Sequence, residues 1–342
     1  MLEGVTDQDI VSKIAAKICD TLSKPFVFLQ QEMFVTTSIG ISMFPDDGGD
    51  ISTLMKHADS AMFRAKEQRN EYCFYVQGME DEIARRMELD RELRTAIGAN
   101  ELVLYYQPQI DLATGELMGA EALVRWNHPR HGLIMPDTFI PLAEESGLIN
   151  QVSDWVLDQA CKQLQIWSDS GHGLKVAINM SSKDIQSEGF NDKLARVIEQ
   201  YKIAPNRLEL EITESTIMEN PEDLEGELNA MRAMGLTLAI DDFGSGFSSL
   251  NYLKRLPVDV LKIDRMFIKD LEEDESDRAI VTGIIALASS LGLDTVAEGV
   301  ETEYQYNLLQ TLGCDTCQGY YFSKPVPVVD FEEKYLKQVV TV

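Results

Sequence analysis

The sequence predicts an α/β protein: a (β/α) barrel over residues 98–342, preceded by a partial α/β segment over residues 1–78 and a connecting helix over 79–97. Three observations carry this reading. Short apolar runs alternate with amphipathic stretches from Glu101 onward, the signature of repeated βα units. The length of that part approaches the ~250 residues of such a barrel. No Gly-x-Gly-x-x-Gly turn follows an early strand, so the open doubly wound sheet, the structural alternative, lacks its usual phosphate-binding turn.

Taken in order, Ile10 to Leu22 has a helical pattern, and apolar extended stretches follow at Phe26 to Leu29 and Phe34 to Phe44. The turn-rich Pro45-Asp-Asp-Gly-Gly-Asp50 leads to an amphipathic helix at Ser52 to Glu67 and a strand at Tyr72 to Val76. Met79 to Ile97 mixes acidic and basic residues around Ile83, Met87, Leu93 and Ile97, as a solvated connecting helix does. Barrel strands are expected at Leu102 to Gln109, Leu117 to Trp126, Leu174 to Met180, Arg207 to Ile212, Leu236 to Asp241, Val258 to Ile263 and Asp294 to Ala297. Helices are expected at Asp154 to Ser168, Asp192 to Tyr201, Pro221 to Met234, Asp277 to Leu291 and Thr302 to Thr311.

With 342 residues, 44% of them hydrophobic, the chain can bury a large core and accommodates two domains. Thirty Lys and Arg stand against 57 Asp and Glu, a net charge of −27. That balance excludes extended nucleic acid and anionic membrane as partners, since both demand clustered Lys and Arg. It leaves room for a small phosphorylated ligand if divalent cations reverse the local field. Five cysteines, few and odd in number, suit reduced thiols in a cytoplasmic setting. Cys314-x-x-Cys317 has no second Cys pair or nearby His to complete a zinc site, and reads as buried thiols rather than a redox pair. No secretory signal pattern opens the chain. Its longest uncharged run, Ala279 to Leu293, has 15 residues, short of the ~20 that span a bilayer.

A barrel places its chemistry at the C-terminal ends of its strands, and strand residues two apart share a face. Glu121, Leu123 and Arg125 therefore point together. Asn179 ends its strand opposite in parity to Val176 and Ile178, and Glu209 and Glu211 face away from Leu208, Leu210 and Ile212. Asp241 shares a face with Ala239, and Asp242 falls where the strand runs into a loop. Lys262 alternates against Leu261 and Ile263, and Glu298 stands just past its strand. One acidic residue at a strand end is usually a helix cap or a surface charge. Several at one barrel mouth repel strongly in a low dielectric, and divalent cations are the simplest resolution. Oxygen ligands from Glu121, Asn179, Glu211, Asp241 and Asp242, without a His cluster or thiolates, favour Mg2+ or Mn2+ over zinc. The adjacent Asp241-Asp242 pair suits two metals sharing a carboxylate, the clamp used for in-line phosphoryl displacement.

Glu121-Ala-Leu-Val-Arg125 is a Glu-Ala-Leu signature, and residues 98 to 334 resemble the EAL family of cyclic di-GMP phosphodiesterases throughout. The resemblance continues through Asn179-Met-Ser181, Glu211-Ile-Thr-Glu214, Asp241-Asp-Phe-Gly-Ser-Gly-Phe-Ser-Ser249, Lys262-Ile-Asp264, Ala297-Glu-Gly-Val-Glu301 and Gln318-Gly-Tyr-Tyr-Phe-Ser-Lys-Pro325. It implies a modified (β/α)8 TIM-type barrel that hydrolyses one phosphodiester of cyclic di-GMP to linear pGpG. By the same resemblance, Glu121, Asn179, Glu211 and Asp241 hold one metal, and Asp241, Asp242 and Glu298 serve the second. Lys262 orients the attacking water, Arg125 pairs with a substrate phosphate, and Gln107, Asp264 and Gln318 are ligand or site contacts. The segment with Phe243, Gly244, Ser245 and Gly246 is the family's loop six, anchored by Glu214; with Glu301 it implies regulation through a homodimer. Phe247 stands where Tyr is frequent, which removes a hydroxyl but no metal ligand.

Phe34-Val-Thr-Thr-Ser-Ile-Gly-Ile-Ser42 and Ala58-Asp-Ser-Ala-Met-Phe-Arg-Ala-Lys66 resemble the second half of a GGDEF diguanylate cyclase domain. Lys66 and Arg69 match phosphate-contacting positions of that family, but the turn that names it would lie upstream, so residues 1–78 are expected to carry no cyclase activity. Two other readings compete for the barrel. A non-catalytic cyclic di-GMP receptor would show substitutions among Glu121, Asn179, Glu211, Asp241, Asp242, Lys262 and Glu298, and none is substituted. A protein-interaction module would leave the acidic cluster unexplained.

Overall fold

The computed structural model describes residues 4–5, 7–28, 31–33, 35–68, 70–219, 221–244 and 253–337. The chain divides into two compact units, Met1–Glu92 and Leu93–Val342.

In the first unit, α1 (Gln8–Leu22) starts at Asp7, whose carboxylate accepts the Asp9 N–H. It buries Val11 and Ala15 against Ile41 and Met43. Strands β1 (Phe26–Phe28) and β2 (Gln31–Met33) form an antiparallel pair. Strand β3 (Ile39–Ile41), helix α2 (Ile51–Gln68) and β4 (Tyr72–Phe74) make a parallel βαβ unit. Of the extended stretch expected from Phe34 to Phe44, Phe34 lies outside the described residues, and the strand within the rest is corrected to the three residues that pair with β4. Gly40 is the point of closest approach, since any Cβ there would overlap the backbone of Ala58 and Met62 in α2. Helix α3 (Met79–Ala96) runs across the division between the units.

In the second unit, eight strands close into a barrel. They are β5 (Leu102–Asp111), β6 (Leu117–His128), β8 (Lys175–Asn179), β9 (Leu208–Thr213), β10 (Thr237–Phe243), β11 (Val260–Ile263), β12 (Asp294–Ala297) and β13 (Thr316–Cys317). Neighbours from β6 round to β13 are parallel, whereas β5 is antiparallel to both β6 and β13. The reversal follows from a short β5–β6 connection, which allows a hairpin but not a parallel crossover. Two short strands extend the sheet outside the ring: β7 (Gly132–Ile134) on β6 and β14 (Val326–Pro327) on β5.

Helices α4 (Pro136–Ser146), α5 (Ile149–Asp169), α6 (Ser182–Ile185), α7 (Phe190–Tyr201), α8 (Glu214–Glu219), α9 (Pro221–Ala233), α10 (Arg265–Lys269), α11 (Glu275–Leu291), α12 (Glu303–Leu312) and α13 (Val328–Tyr335) accompany the strands. Sequence periodicity finds the long helices to within a few residues at their ends. It misses α4, which carries Pro141 inside the helix, and the short α6, α8, α10 and α13. The ends of α12 are well specified: Thr302 and Gln305 form a reciprocal capping box, and Gly313 closes the other end with φ 81°. Strand interiors are apolar and fully buried at Val176, Ile178, Leu208, Leu210, Leu238, Ile240, Leu261 and Ile263, as strands covered on both faces require.

Gly319 follows the eighth strand, and a methyl group there would collide with the Val300 backbone. Gly319→Ala is therefore expected to cost at least about 2 kcal/mol, read as a lowered midpoint in urea denaturation.

Candidate active site

The barrel mouth is assembled by register. Glu121 on β6 lies across from Gln107 on β5, Asn179 on β8 across from Glu211 on β9, and Thr213 at the end of β9 across from Asp241 on β10. Glu121 sits in mid-strand rather than at a strand end, because β6 runs on past the ring to pair with β7. Glu121 thus departs from the strand-end placement usual in barrels and keeps the shared face with Arg125 expected of it.

Strand β10 differs from expectation in a second way. It does not give way to loop at Asp242 but continues to Phe243. Against β11, Ile240 pairs with Leu261 and Phe243 with Ile263, so the acidic pair occupies a bulge with one extra residue. Asp242 takes φ 53° there, a left-handed conformation that Asp tolerates better than most residues. The bulge breaks the two-residue alternation, and an oxygen of Asp241, one of Asp242 and one of Glu298 lie within 4.8 Å of one another.

Lys262 is fully buried at the centre of the acids. Its Nζ lies 2.7 Å from Glu298 Oε1, 2.8 Å from Glu211 Oε2, 3.0 Å from Asp241 Oδ1 and 4.0 Å from Glu121 Oε1. Asn179 Nδ2 donates to Glu121 Oε1 at 2.7 Å. Gln318 Nε2 donates to Glu121 Oε2 at 2.7 Å and to Glu298 Oε1 at 3.0 Å, and its Oε1 accepts from Gln109 Nε2 at 3.2 Å. Gln109 was not singled out from the sequence, although period two from Gln107 places it on the same face.

These contacts shift the protonation of the cluster. Burial would drive the Lys262 proton off, but the Glu121, Glu211, Glu298 and Asp241 carboxylates hold it well above the usual lysine range. Burial pushes Glu211 well up despite Lys262, with Glu121 and Asp241 adding repulsion. Burial likewise raises Glu298 to about 8 against the pull of Lys262. Asp242 is raised to about 6 by partial burial and by the Asp241 and Asp264 carboxylates. Glu121 moves the other way: burial opposes its charge, but Lys262 and the amides of Gln318 and Asn179 outweigh it.

The remaining expected residues lie around this cluster. Arg125 is buried, its guanidinium 5.7 Å from the centre of the Tyr105 ring and its Nη1 donating to Val124 O. Gln107 Nε2 donates to Ser323 O at 3.1 Å, which ties it to the segment before β14 rather than to the acids. Asp264 caps α10 by accepting from the Met266 N–H. Glu214 is buried, and its Oε2 accepts the Gly244 N–H at 2.8 Å. Phe243 is buried, and Gly244 has φ 97° with the Phe267 ring against it. Glu301 is exposed and lies one residue before the Thr302 cap, its N–H bonded to Gln305. Ser245, Gly246, Phe247 and, in the first unit, Arg69 lie outside the described residues. Cys314 and Cys317 are buried free thiols, pushed up to about 11 and 12 by burial, in line with a structural role.

Comparison with known proteins agrees with this geometry. The family model for the EAL domain matches residues 90–325, and that for the diguanylate cyclase GGDEF domain matches residues 1–72. The bifunctional diguanylate cyclase/cyclic di-GMP phosphodiesterase MucR of Pseudomonas aeruginosa is 44% identical over 316 residues, 92% of this chain and 46% of that protein. The cyclic di-GMP phosphodiesterase NbdA of the same organism is 38% identical over 335 residues, 97% of this chain and 43% of that protein. The chain thus spans less than half the length of either relative. Among solved structures, the PaMucR phosphodiesterase in complex with c-di-GMP superposes with a TM-score of 0.69 at 46% identity, covering 71% of this chain and 99% of that one. With its barrel, its Glu-Ala-Leu strand and this match over most of its length, the chain belongs to the EAL-domain family.

Proposed function

We propose that this chain hydrolyses one phosphodiester bond of cyclic di-GMP to linear pGpG, using two divalent cations, magnesium or manganese. The observation that carries the reading is the cluster of four carboxylates, from Glu121, Glu211, Asp241 and Glu298, around the buried Lys262. Its likeness to a phosphodiesterase solved with c-di-GMP supports the choice of substrate.

The donor set fits such cations. It is made of oxygens alone, and Glu211 Oε1 is buried with no hydrogen-bond partner among the described residues, as suits an atom that would ligate a cation. Glu121, Asn179, Glu211 and Asp241 would hold one, and Asp241, Asp242 and Glu298 the other. When bound, the cations supply an acidified water near neutral pH and neutralise charge building on the phosphodiester oxygens.

The chain's own groups do the rest. Lys262 keeps its proton because carboxylates surround it, and it orients the attacking water by donating a hydrogen bond. Arg125 offers forked donors to a substrate phosphate. Gln107, Asp264 and Gln318 line the approach or brace the carboxylates. Glu214 holds the Gly244 N–H two residues beyond Asp242, so the acid pair is linked to the start of loop six. We assign regulation by homodimerisation to that link, with Phe243, Gly244, Ser245, Gly246 and Glu301 in the coupling region. We further assign residues 1–78 to the C-terminal part of a GGDEF-like domain, 79–97 to a connecting helix and 98–342 to the phosphodiesterase barrel, acting in the cytoplasm. Among the described residues no helix is long and apolar enough to cross a membrane.

Incubation of the purified protein with cyclic di-GMP and Mg2+ or Mn2+ should release pGpG, followed by chromatography; tight binding without turnover in either metal would make it a receptor instead. Glu121→Ala and Asp241→Asn should each lower turnover about 100-fold or more. Cys317→Ser should leave turnover unchanged in the same assay while costing about 1 kcal/mol of stability. Metal should also stabilise in a pH-dependent manner. Glu298 and Asp242 have folded-state values raised to about 8 and about 6, so in the metal-free protein their contribution to stability is present at low pH and lost as pH rises through those values. Cations compete with those protons. The rise in thermal midpoint on adding Mn2+ is therefore expected to be larger at pH 8 than at pH 6, and a larger rise at pH 6 would count against this ligand assignment.

A further inference from the structure

We infer that Gln109 is a positioning residue: it sets the orientation of the Gln318 amide and through it the relative placement of the Glu121 and Glu298 carboxylates. The inference rests on the reading above, in which those carboxylates belong to the two cation sites.

The reversed first strand makes the contact possible. Strand β13 pairs antiparallel with β5, with Thr316 opposite Asp111 and Cys317 opposite Ile110. One more step in that register brings Gln318 opposite Gln109, and both side chains are buried. Gln107, the other inward amide on β5, is committed to Ser323 O. Gln109 alone among the β5 amides therefore reaches the cluster, through Gln318 Oε1.

An amide side chain has an acceptor end and a donor end of nearly equal shape. Gln318 must present its donor end, because Nε2 faces one oxygen of Glu121 and one of Glu298. Turned over, it would set its own oxygen against two carboxylates. The Gln109 N–H holds the same orientation from the opposite side: with a donor facing Gln318 Oε1, both ends of the amide are satisfied at once. Without that donor, Gln318 Oε1 would be a buried acceptor with no partner, and the amide would lose the contact that fixes it. Because Gln318 touches a carboxylate of each proposed cation set, a loosened amide would disturb both.

The experiment uses the full chain, with manganese as the probe, titrated into metal-free protein by calorimetry, alongside thermal unfolding of the metal-free protein and pGpG release. Gln109→Met keeps length and volume but removes the donor. It is expected to bind manganese about tenfold more weakly. Gln318→Met should also weaken binding, and the double variant should be no weaker than Gln318→Met alone, since Gln109 acts through Gln318. A role in packing alone would lower the metal-free thermal midpoint and leave manganese affinity unchanged. If Gln109→Met does not fold, Gln109→Ala makes the same test. Wild-type affinity in Gln109→Met, or losses that add in the double variant, would overturn the inference while the proposed function stands. A wild-type protein that neither binds manganese nor releases pGpG would overturn the function itself, and the inference with it.

Discussion

A lysine ammonium with no solvent exposure, within 3.0 Å of three carboxylates and 4.0 Å of a fourth, is the interaction on which the barrel mouth depends. Each of these charges alone would be costly to bury, and the carboxylates together would repel. Lys262 offsets part of that cost by standing among all of them. One positive charge cannot balance four negative ones, so the cluster keeps a deficit of positive charge. The raised carboxyls of Glu211 and Glu298 are the sign of that deficit in the metal-free protein. Divalent cations would remove it more completely than protons do, so in the function proposed above stability, metal binding and chemistry converge on the same atoms.

Two departures from regular geometry put those atoms together. The bulge in β10 brings oxygens of consecutive residues, Asp241 and Asp242, close to each other and to Glu298, where unbroken alternation would have sent them to opposite faces. The reversed β5 brings Gln109 to a ring otherwise lined by acids, where it donates to Gln318, whose own amide N–H groups face the Glu121 and Glu298 carboxylates without adding charge. Both features involve local disturbance of the sheet, and both are offset by packing of fully buried apolar strands on either side.

The net charge of −27 divides accordingly. Most acidic residues are solvated and keep the molecule away from polyanions. The few at the mouth are the proposed cation ligands, and cations bound there would give that part of an acidic protein the positive charge that a phosphodiester needs. The argument from composition concerns extended duplexes and does not reach a cyclic dinucleotide.

Alternation of apolar and polar residues was enough to place Glu121, Glu211, Asp241 and Lys262 on inward faces, and the β-then-α rhythm was enough to indicate a barrel, because both depend on local periodicity that one strand or helix carries by itself. Short elements escaped: α6, α8, α10 and β13 are too brief to show a period. Tertiary structure alone decided the closure of β5 against β13, the bulge at Asp241-Asp242 and the Gln109 to Gln318 contact. Each depends on which strand lies beside which and in what register, and a register is a property of two segments far apart in the chain. Gln109 and Gln318 are separated by 209 residues, so nothing in the local pattern of either one could announce the other.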